Sequence, residues 1–145
     1  MMKRAATLLL ATQLLLTGGN ACAELVVVTS PKSGVERLKH QEVVYLFMGR
    51  WRQLPSGIQA NPIDQANDTP ERADFYRQLV NKEPAEIKAY WSRLVFSGGS
   101  RPPYTAESRE ELLRLLNNTP GAIGYIDRSH IDSRVRIVFE FPSTP

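Results

Sequence analysis

The sequence has 145 residues, of which 42% are hydrophobic and 23% charged, with a net charge of +3. Lys3 and Arg4 precede all 15 acidic residues, so the chain after residue 23 is nearly neutral. It also carries no basic cluster typical of nucleic-acid binding. The single cysteine excludes an internal disulfide, and His40 and His130 lie far apart, so we predict no metal site and no cofactor.

The first 23 residues have the three-part pattern of a secretory signal. A basic start is followed by the apolar run Ala5–Leu16 and by the small residues Ala21-Cys22-Ala23, which suit cleavage. The run is shorter than the roughly 20 residues of a membrane-spanning helix. We therefore predict a signal peptide at residues 1–23, export to the periplasm and one domain at residues 24–145. An uncleaved anchor and lipoprotein processing at Cys22 stay open as alternatives.

The next stretch predicts two strands and a helix. Glu24–Thr29 is a continuous β-branched run, which favours a strand buried on both faces, as in a parallel sheet. Ser30–Gly34 is a turn, and Val35–Met48 has a helical pattern that is clearest from Gln41 onward. Ile58–Asp64 predicts a second strand, in which Pro62 limits pairing.

Two helices are predicted next. Asn67–Glu71 is a strong helix start, with a capping side chain at Asp68 or Thr69 and proline at the first helical position. Pro84–Phe96 predicts another helix, because apolar residues recur on one stripe made of Ile87, Trp91, Leu94 and Val95. The glycines after Ser97 end that helix, and Arg101-Pro102-Pro103 forces an extended path.

The last third predicts one helix and two strands. Glu107–Asn117 is the helix, Ala122–Ile126 is a short strand, and Asp127–Ser133 is a polar turn. Arg134–Phe141 predicts a half-exposed terminal strand, with one face made of Val135, Ile137, Phe139 and Phe141. Strands separated by helices indicate an α/β layer arrangement.

A series of short segments in this order gives the chain a family resemblance. They are Val44–Gly49 with Trp51 and Gly57, Pro62–Asp64, Phe75, Tyr90-Trp91, Phe96–Gly98, Pro102-Pro103 and Thr119–Ile126. On these residues the chain resembles the phosphate-type periplasmic solute-binding proteins, and in particular their short, single-lobe exported members. The resemblance implies a single lobe of the type 2 periplasmic binding protein fold, with a mixed sheet and flanking helices.

The resemblance also bears on the ligand. In phosphate-binding members, the turn corresponding to Gln65–Glu71 carries an arginine, an aspartate and a Ser-Gly-Thr run. Here Gln65 takes the place of the arginine and Pro70 that of the glycine, while Asp68 and Glu71 bring negative charge. The resemblance therefore implies that phosphate is not held with high affinity.

Three stretches are candidates for ligand binding. They are Asn67 and Thr69 at a helix start, Ser30 and Ser33 after the first strand, and a corner made of Ser97, Gly98, Gly99 and Arg101. Free backbone N–H groups beside an arginine suit an oxyanion, and ligands of α/β sheets bind where parallel strands end. Each stretch also has a structural interpretation, as a helix cap, an ordinary turn or a helix-ending corner. We predict no catalytic residues, since no Gly-x-Ser-x-Gly elbow occurs.

Two functions are consistent with these patterns. The preferred one is an exported, non-catalytic binding or sensing module that holds a small oxyanion weakly and works with a membrane transporter or sensor. The alternative is a periplasmic interaction module that has lost the ligand site and uses its surface for docking or for pairing as a homodimer. Tyr45, Trp51 and Tyr104 suit such an interface, although core packing explains them equally well.

Overall fold

Five strands form one mixed sheet in the computed structural model, which describes residues 24–143. The strands are β1 (Leu25–Thr29), β2 (Asn61–Gln65), β3 (Tyr104–Ala106), β4 (Ala122–Asp127) and β5 (Arg136–Glu140). Their order across the sheet is β3-β2-β4-β1-β5. Strand β2 pairs in parallel with β3 and β4, whereas β1 pairs antiparallel with both β4 and β5.

Helices cover both faces of this sheet. They are α1 (His40–Phe47), α2 (Pro70–Val80), α3 (Pro84–Phe96) and α4 (Arg109–Asn118), with a short 3₁₀ turn at Arg128–His130. The buried apolar residues of α1, α2 and α3 belong to one hydrophobic cluster, and those of α4 belong to a second. The two clusters lie on opposite faces of β1, because Val27 belongs to the first and Val26 and Val28 to the second. Among residues 24–143, each helix is too short or too polar to cross a membrane.

Strand β1 is buried along its whole length, as its β-branched run predicts. The parallel arrangement expected from that run is wrong, because β1 is antiparallel to both neighbours. A continuous apolar run reports burial on two faces, and a central strand of either direction meets that condition. The reversal places the end of β1, at Thr29, beside Ile123 near the start of β4.

Helix α1 begins at His40, five residues later than its predicted start at Val35. Gly34 takes a positive φ of 72°, and the N–H of Leu38 donates to the carbonyl of Val138 in β5 at 2.7 Å. This pairing holds the chain away from helical geometry until the Glu42 carboxylate accepts from the N–H of Lys39 at 2.7 Å and starts the helix.

Helices α2 and α3 begin at the two prolines that predict them. Ile87 and Trp91 of the predicted α3 stripe are buried, but Val95 is 53% exposed, so the predicted stripe extends one residue beyond the buried face. The sequence patterns missed β3, whose three residues follow Pro103. A strand this short has too few residues for alternation to be visible.

Strand β5 contains an irregularity that divides its predicted apolar face. The register shifts between Val27 and Val28, so that Val27 lies opposite Phe139 and Val28 opposite Ile137. Ile137 packs against the cluster on the α4 side, whereas Phe139 packs against the cluster on the other side. The single face predicted for β5 is therefore wrong, because a bulge reverses the alternation.

Gly121 permits a close backbone approach at the start of β4. A Cβ atom at Gly121 would lie 1.8 Å from the carbonyl oxygen of Gln59. The carbonyl of Gly121 accepts from the N–H of Asn61 at 2.8 Å, so this contact sets the first residue of β2 against β4.

We expect the substitution Gly121→Ala to destabilise the protein by about 3 kcal/mol, because the clash is with backbone and overpacking of this kind is costly. Gly99→Ala is the matched control, since its Cβ would make only contacts of 3.5 Å or longer. Urea unfolding of both variants measures the difference. Equal stability of the two variants would contradict this assignment.

Candidate functional site

A cavity of about 260 Å³ lies where the three parallel strands end. Strands β2, β3 and β4 end at Gln65, Ala106 and Asp127, and all three residues line it. The first residues of α2 and α4 lie at the same edge. The full lining is Gln65, Ala66, Thr69, Glu71, Ala106, Glu107, Ser108, Arg109, Leu112, Asp127 and His130. This edge of an α/β sheet is the usual position of a ligand site.

The charges around the cavity are mixed. Arg109 stands at the first position of α4, and Glu71, Glu107 and Asp127 bring three carboxylates. The N–H of Ser129, which donates to Asp127 at 2.9 Å, is the main cause that lowers the pKa of Asp127, and the nearby His130 and Arg109 lower it further. Asp127 is therefore ionised at neutral pH.

The two helices present their amino ends differently. The hydroxyl of Ser108 accepts from the N–H of Glu111 at 3.1 Å and so caps α4. The hydroxyl of Thr69 instead donates to the carbonyl of Ala66 at 2.8 Å and caps no amide of α2. The amino end of α2 therefore keeps uncapped backbone N–H groups, which attract anions.

Asp64 immediately precedes the cavity residue Gln65 and is the centre of a buried hydrogen-bond network. It is 5% exposed, and its carboxylate accepts from Nε of Arg72 at 3.2 Å and from the hydroxyl of Tyr76 at 2.8 Å. It also accepts from the hydroxyl of Tyr125. One buried carboxylate thus ties the end of β2 to α2 and to β4.

Gln65 extends this connection by one residue. Its Nε2 donates to the carbonyl of Tyr125 at 2.9 Å, and its backbone N–H lies 2.9 Å from the Asp64 carboxylate. The backbone ladder between β2 and β4 pairs residues only as far as Pro62 and Ile123, so the Gln65 side chain bridges the strands beyond that point. At the position where the resemblance places an arginine, this chain has an amide that is used within the sheet.

The structure places the predicted site residues in separate regions. Thr69 lines the cavity, and Asn67 is exposed two residues earlier in the same loop. Gly98, Gly99 and Arg101 line a different groove, which includes the first residues of β2 and β4, and Ser97 immediately precedes them. That groove lies at the opposite edge of the sheet.

Ser30 and Ser33 also lie away from the cavity, because β1 runs in the reverse direction. Both are buried, and their hydroxyls accept from the N–H groups of Lys32 and Val35 within the turn. The Ser33 hydroxyl additionally donates to the hydroxyl of Thr29 at 3.0 Å.

Sequence reasoning missed Arg109 and His130 as members of the site. Nδ1 of His130 is buried and has no hydrogen-bond partner among residues 24–143, and the residue lines the cavity beside Asp127. His130 follows the predicted strand Ala122–Ile126, so the rule that sites gather after strand ends could have indicated it. Arg109 follows β3, the strand that the sequence patterns missed. Within the described part of the chain, no group of three or more histidine, aspartate or glutamate side chains is arranged to hold a metal ion.

Comparison with solved structures identifies the fold. An ABC-type phosphate transport receptor from Vibrio cholerae matches 79% of this chain at a TM-score of 0.63 and 13% identity, over 45% of its own length. PstS from Borrelia burgdorferi matches 83% of this chain at 0.62 and 17% identity, over 49% of its length. A protein from Clostridium perfringens, described as a phosphate ABC transporter substrate-binding protein and solved with bound phosphate, matches 79% at 0.64 and 16% identity, over 44% of its length.

These matches confirm the predicted fold class, one lobe of the type 2 periplasmic binding protein fold with a mixed sheet and flanking helices. The resemblance seen in the sequence is thereby confirmed at the level of fold. The chain spans less than half the length of each of these proteins. No protein-family model matches the sequence, and no curated protein does.

The Asp64 network gives the protein a predictable response to alkaline pH. Burial raises the pKa of Tyr76 and of Tyr125 well above the ordinary value near 10, and the negative charge of Asp64 raises both further. In the unfolded chain these tyrosines ionise near pH 10, whereas the folded protein keeps their protons. The unfolded state then binds fewer protons, so stability falls as pH rises above 10.

We expect Tyr76→Phe to reduce the steepness of this alkaline loss by up to about 1.4 kcal/mol per pH unit, the value for one proton. The variant should also lose about 1 kcal/mol at pH 8, because it lacks the hydrogen bond to Asp64. Tyr45→Phe, outside the network, is the control. Urea unfolding between pH 8 and 11.5 measures both effects, and parallel profiles for Tyr76→Phe and the unmodified protein would refute the assignment.

Proposed function

We propose that the protein is an exported, non-catalytic solute-binding module of the periplasm that holds a small oxyanion weakly. The single observation that carries the proposal is the cavity at the carboxyl ends of β2, β3 and β4, where the amino ends of two helices meet Arg109. In this proposal the module presents its ligand to a membrane transporter or sensor. The likeness to structures described as phosphate transport receptors supports this class of function.

The groups around the cavity support an anion as ligand. The first backbone N–H groups of a helix lack partners within the helix, and the helix dipole favours negative charge near them. The guanidinium of Arg109 adds a full positive charge and, in residues 24–143, has no carboxylate in ion-pair contact. A planar guanidinium also matches the oxygens of phosphate or sulfate in geometry.

Other groups at the same site support weak binding. Three carboxylates line the cavity and repel an anion, and Pro70 removes one N–H from the amino end of α2. The chain also matches less than half the length of the phosphate-binding structures, so it supplies fewer contacts than a complete binding protein. Millimolar affinity is the expected range, which corresponds to roughly 4 kcal/mol.

The hydroxyl groups of the cavity support a non-catalytic role. Thr69 and Ser108 are its two hydroxyl side chains, and both are engaged by backbone groups of their own turns. A hydroxyl nucleophile needs a hydrogen bond to a general base, and neither hydroxyl makes one to His130 among the described contacts.

Replacement of Arg109 by alanine tests whether its positive charge contributes to anion binding. We expect Arg109→Ala to weaken phosphate and sulfate binding at least about tenfold, since a charge-assisted contact is lost. Arg114→Ala is the matched control, because Arg114 is an exposed arginine of the same helix outside the cavity. Calorimetric titration and thermal shift with each anion measure the effect. Absence of binding by the unmodified protein up to 50 mM anion would refute the proposal.

Replacement of Glu71 by glutamine tests whether its carboxylate repels the bound anion. We expect Glu71→Gln to tighten phosphate binding about fivefold, because a like charge near the anion is removed. Glu36→Gln, an exposed change elsewhere on the surface, should leave affinity unchanged. The same titrations measure both variants at low salt, and an unchanged affinity for Glu71→Gln would place the anion away from α2.

A further inference from the structure

A groove of about 960 Å³ lies at the edge of the sheet opposite the cavity. It includes the first residues of β2, β3 and β4, and it runs between the loop after α1 and the corner after α3. The lining residues used in the argument are Trp51, Arg52, Trp91, Val95, Arg101 and Tyr104. The groove is almost four times larger than the cavity, so it fits a ligand of several residues.

Exposed apolar side chains are concentrated at this groove. Among residues 24–143, the large hydrophobic side chains that remain exposed are Trp51 (37%), Val95 (53%), Phe96 (96%) and Tyr104 (59%). Three of them line the groove, and Phe96 follows Val95 directly. Such a grouping of apolar surface marks an interaction site, and tryptophan, tyrosine and arginine dominate the binding energy of protein interfaces.

The charge of the groove has one sign. Arg52 and Arg101 line it, and no aspartate or glutamate does so in the part of the chain that the structure describes. Neither arginine takes part in an ion pair within residues 24–143. The carboxylate of Glu111 accepts from the hydroxyl of Tyr104 at 2.8 Å, so the hydroxyl of this tyrosine already has a hydrogen-bond partner. The two arginines therefore favour an acidic occupant.

Trp91 forms part of the groove wall. The residue is 7% exposed, and its Nε1 is buried without a hydrogen-bond partner among the described residues. The ring fits here because Gly49 has no side chain: a Cβ at Gly49 would lie 2.7 Å from the indole.

The groove is also held in shape before any ligand arrives. The hydroxyl of Tyr90 donates to the carbonyl of Met48 at 2.7 Å, which ties α3 to the loop after α1. The ring of Trp51 packs on that of Tyr45 with 5.3 Å between centroids. A wall fixed in this way loses little conformational freedom on binding.

We propose that this groove docks an extended acidic segment of a partner protein that also carries aromatic side chains. Its aromatic side chains pack on Trp51, Val95 and Tyr104, while its carboxylates pair with Arg52 and Arg101. The size of the groove favours such a segment over a single small anion. The inference goes beyond solute binding, because the groove and the cavity lie at opposite edges of the sheet.

The test uses three synthetic decapeptides: one with four glutamates and two phenylalanines, one with lysines for the glutamates, and one with serines for the phenylalanines. Binding is followed by anisotropy of labelled peptide and by tryptophan emission with unlabelled peptide. The emission reports on the groove because the chain's two tryptophans, Trp51 and Trp91, both line it. We expect the glutamate–phenylalanine peptide to bind, the lysine peptide not to bind, and the serine peptide to bind at least about tenfold more weakly.

A charge reversal supplies the matched variants. The double variant Arg52→Glu/Arg101→Glu should lose at least about tenfold in affinity for the acidic peptide and gain binding of the lysine peptide. Arg37→Glu/Lys82→Glu, two exposed positions outside the groove, should change neither. Arg109→Ala should leave peptide binding intact, and the charge reversal should leave phosphate binding intact. The two experiments therefore test the groove and the cavity independently.

Several results would overturn the proposal. Equal affinity for the acidic and lysine peptides, or an acidic peptide that binds the charge-reversed variant unchanged, would remove the role of the arginines. Displacement of the peptide by acetate or phosphate at the concentration where each binds alone would make the groove a small-anion site. A dimer in light scattering that Phe96→Asp dissociates would make its occupant a second copy of this chain.

Discussion

The buried carboxylate of Asp64 is the contact on which the rest of the structure depends. It joins the end of β2 to α2 through Arg72 and Tyr76, and to β4 through Tyr125. A buried charge is tolerated only when its partners offset the cost of removing it from water. The face-to-face stacking of Phe75 on Tyr125, with 3.8 Å between centroids, packs the same helix onto the same strand. Together these contacts hold the first half of α2 against the sheet, and with it the wall of the cavity that this helix forms.

The shared direction of β2, β3 and β4 gives the molecule two chemically different edges. At one edge three parallel strands end and two helices begin, which collects amide N–H groups, Arg109 and several carboxylates. At the other edge those strands begin, and the loops there carry the exposed aromatic rings and two arginines. The hydrophobic core separates the edges.

Local signals in the sequence were sufficient for much of the fold. Proline at the first helical position and the apolar stripes placed α2 and α3, and the resemblance gave the fold class. The direction of β1, the bulge in β5 and the existence of β3 depend on pairing partners distant in sequence, which no local pattern encodes. The residues of the cavity divide in the same way between local signals and contacts distant in sequence. Thr69 was found from its helix start, whereas Arg109 and His130 join it only once the strands are ordered.

The outer strand β3 has a consequence for behaviour at high concentration. It is three residues long and directly follows Pro102 and Pro103, which carry no amide hydrogen. A flat, long outer strand is a template on which further chains add and grow into fibrils. Because β3 is short and is preceded by two prolines, it offers few hydrogen bonds to an added strand. This disfavours polymerisation along that side of the molecule.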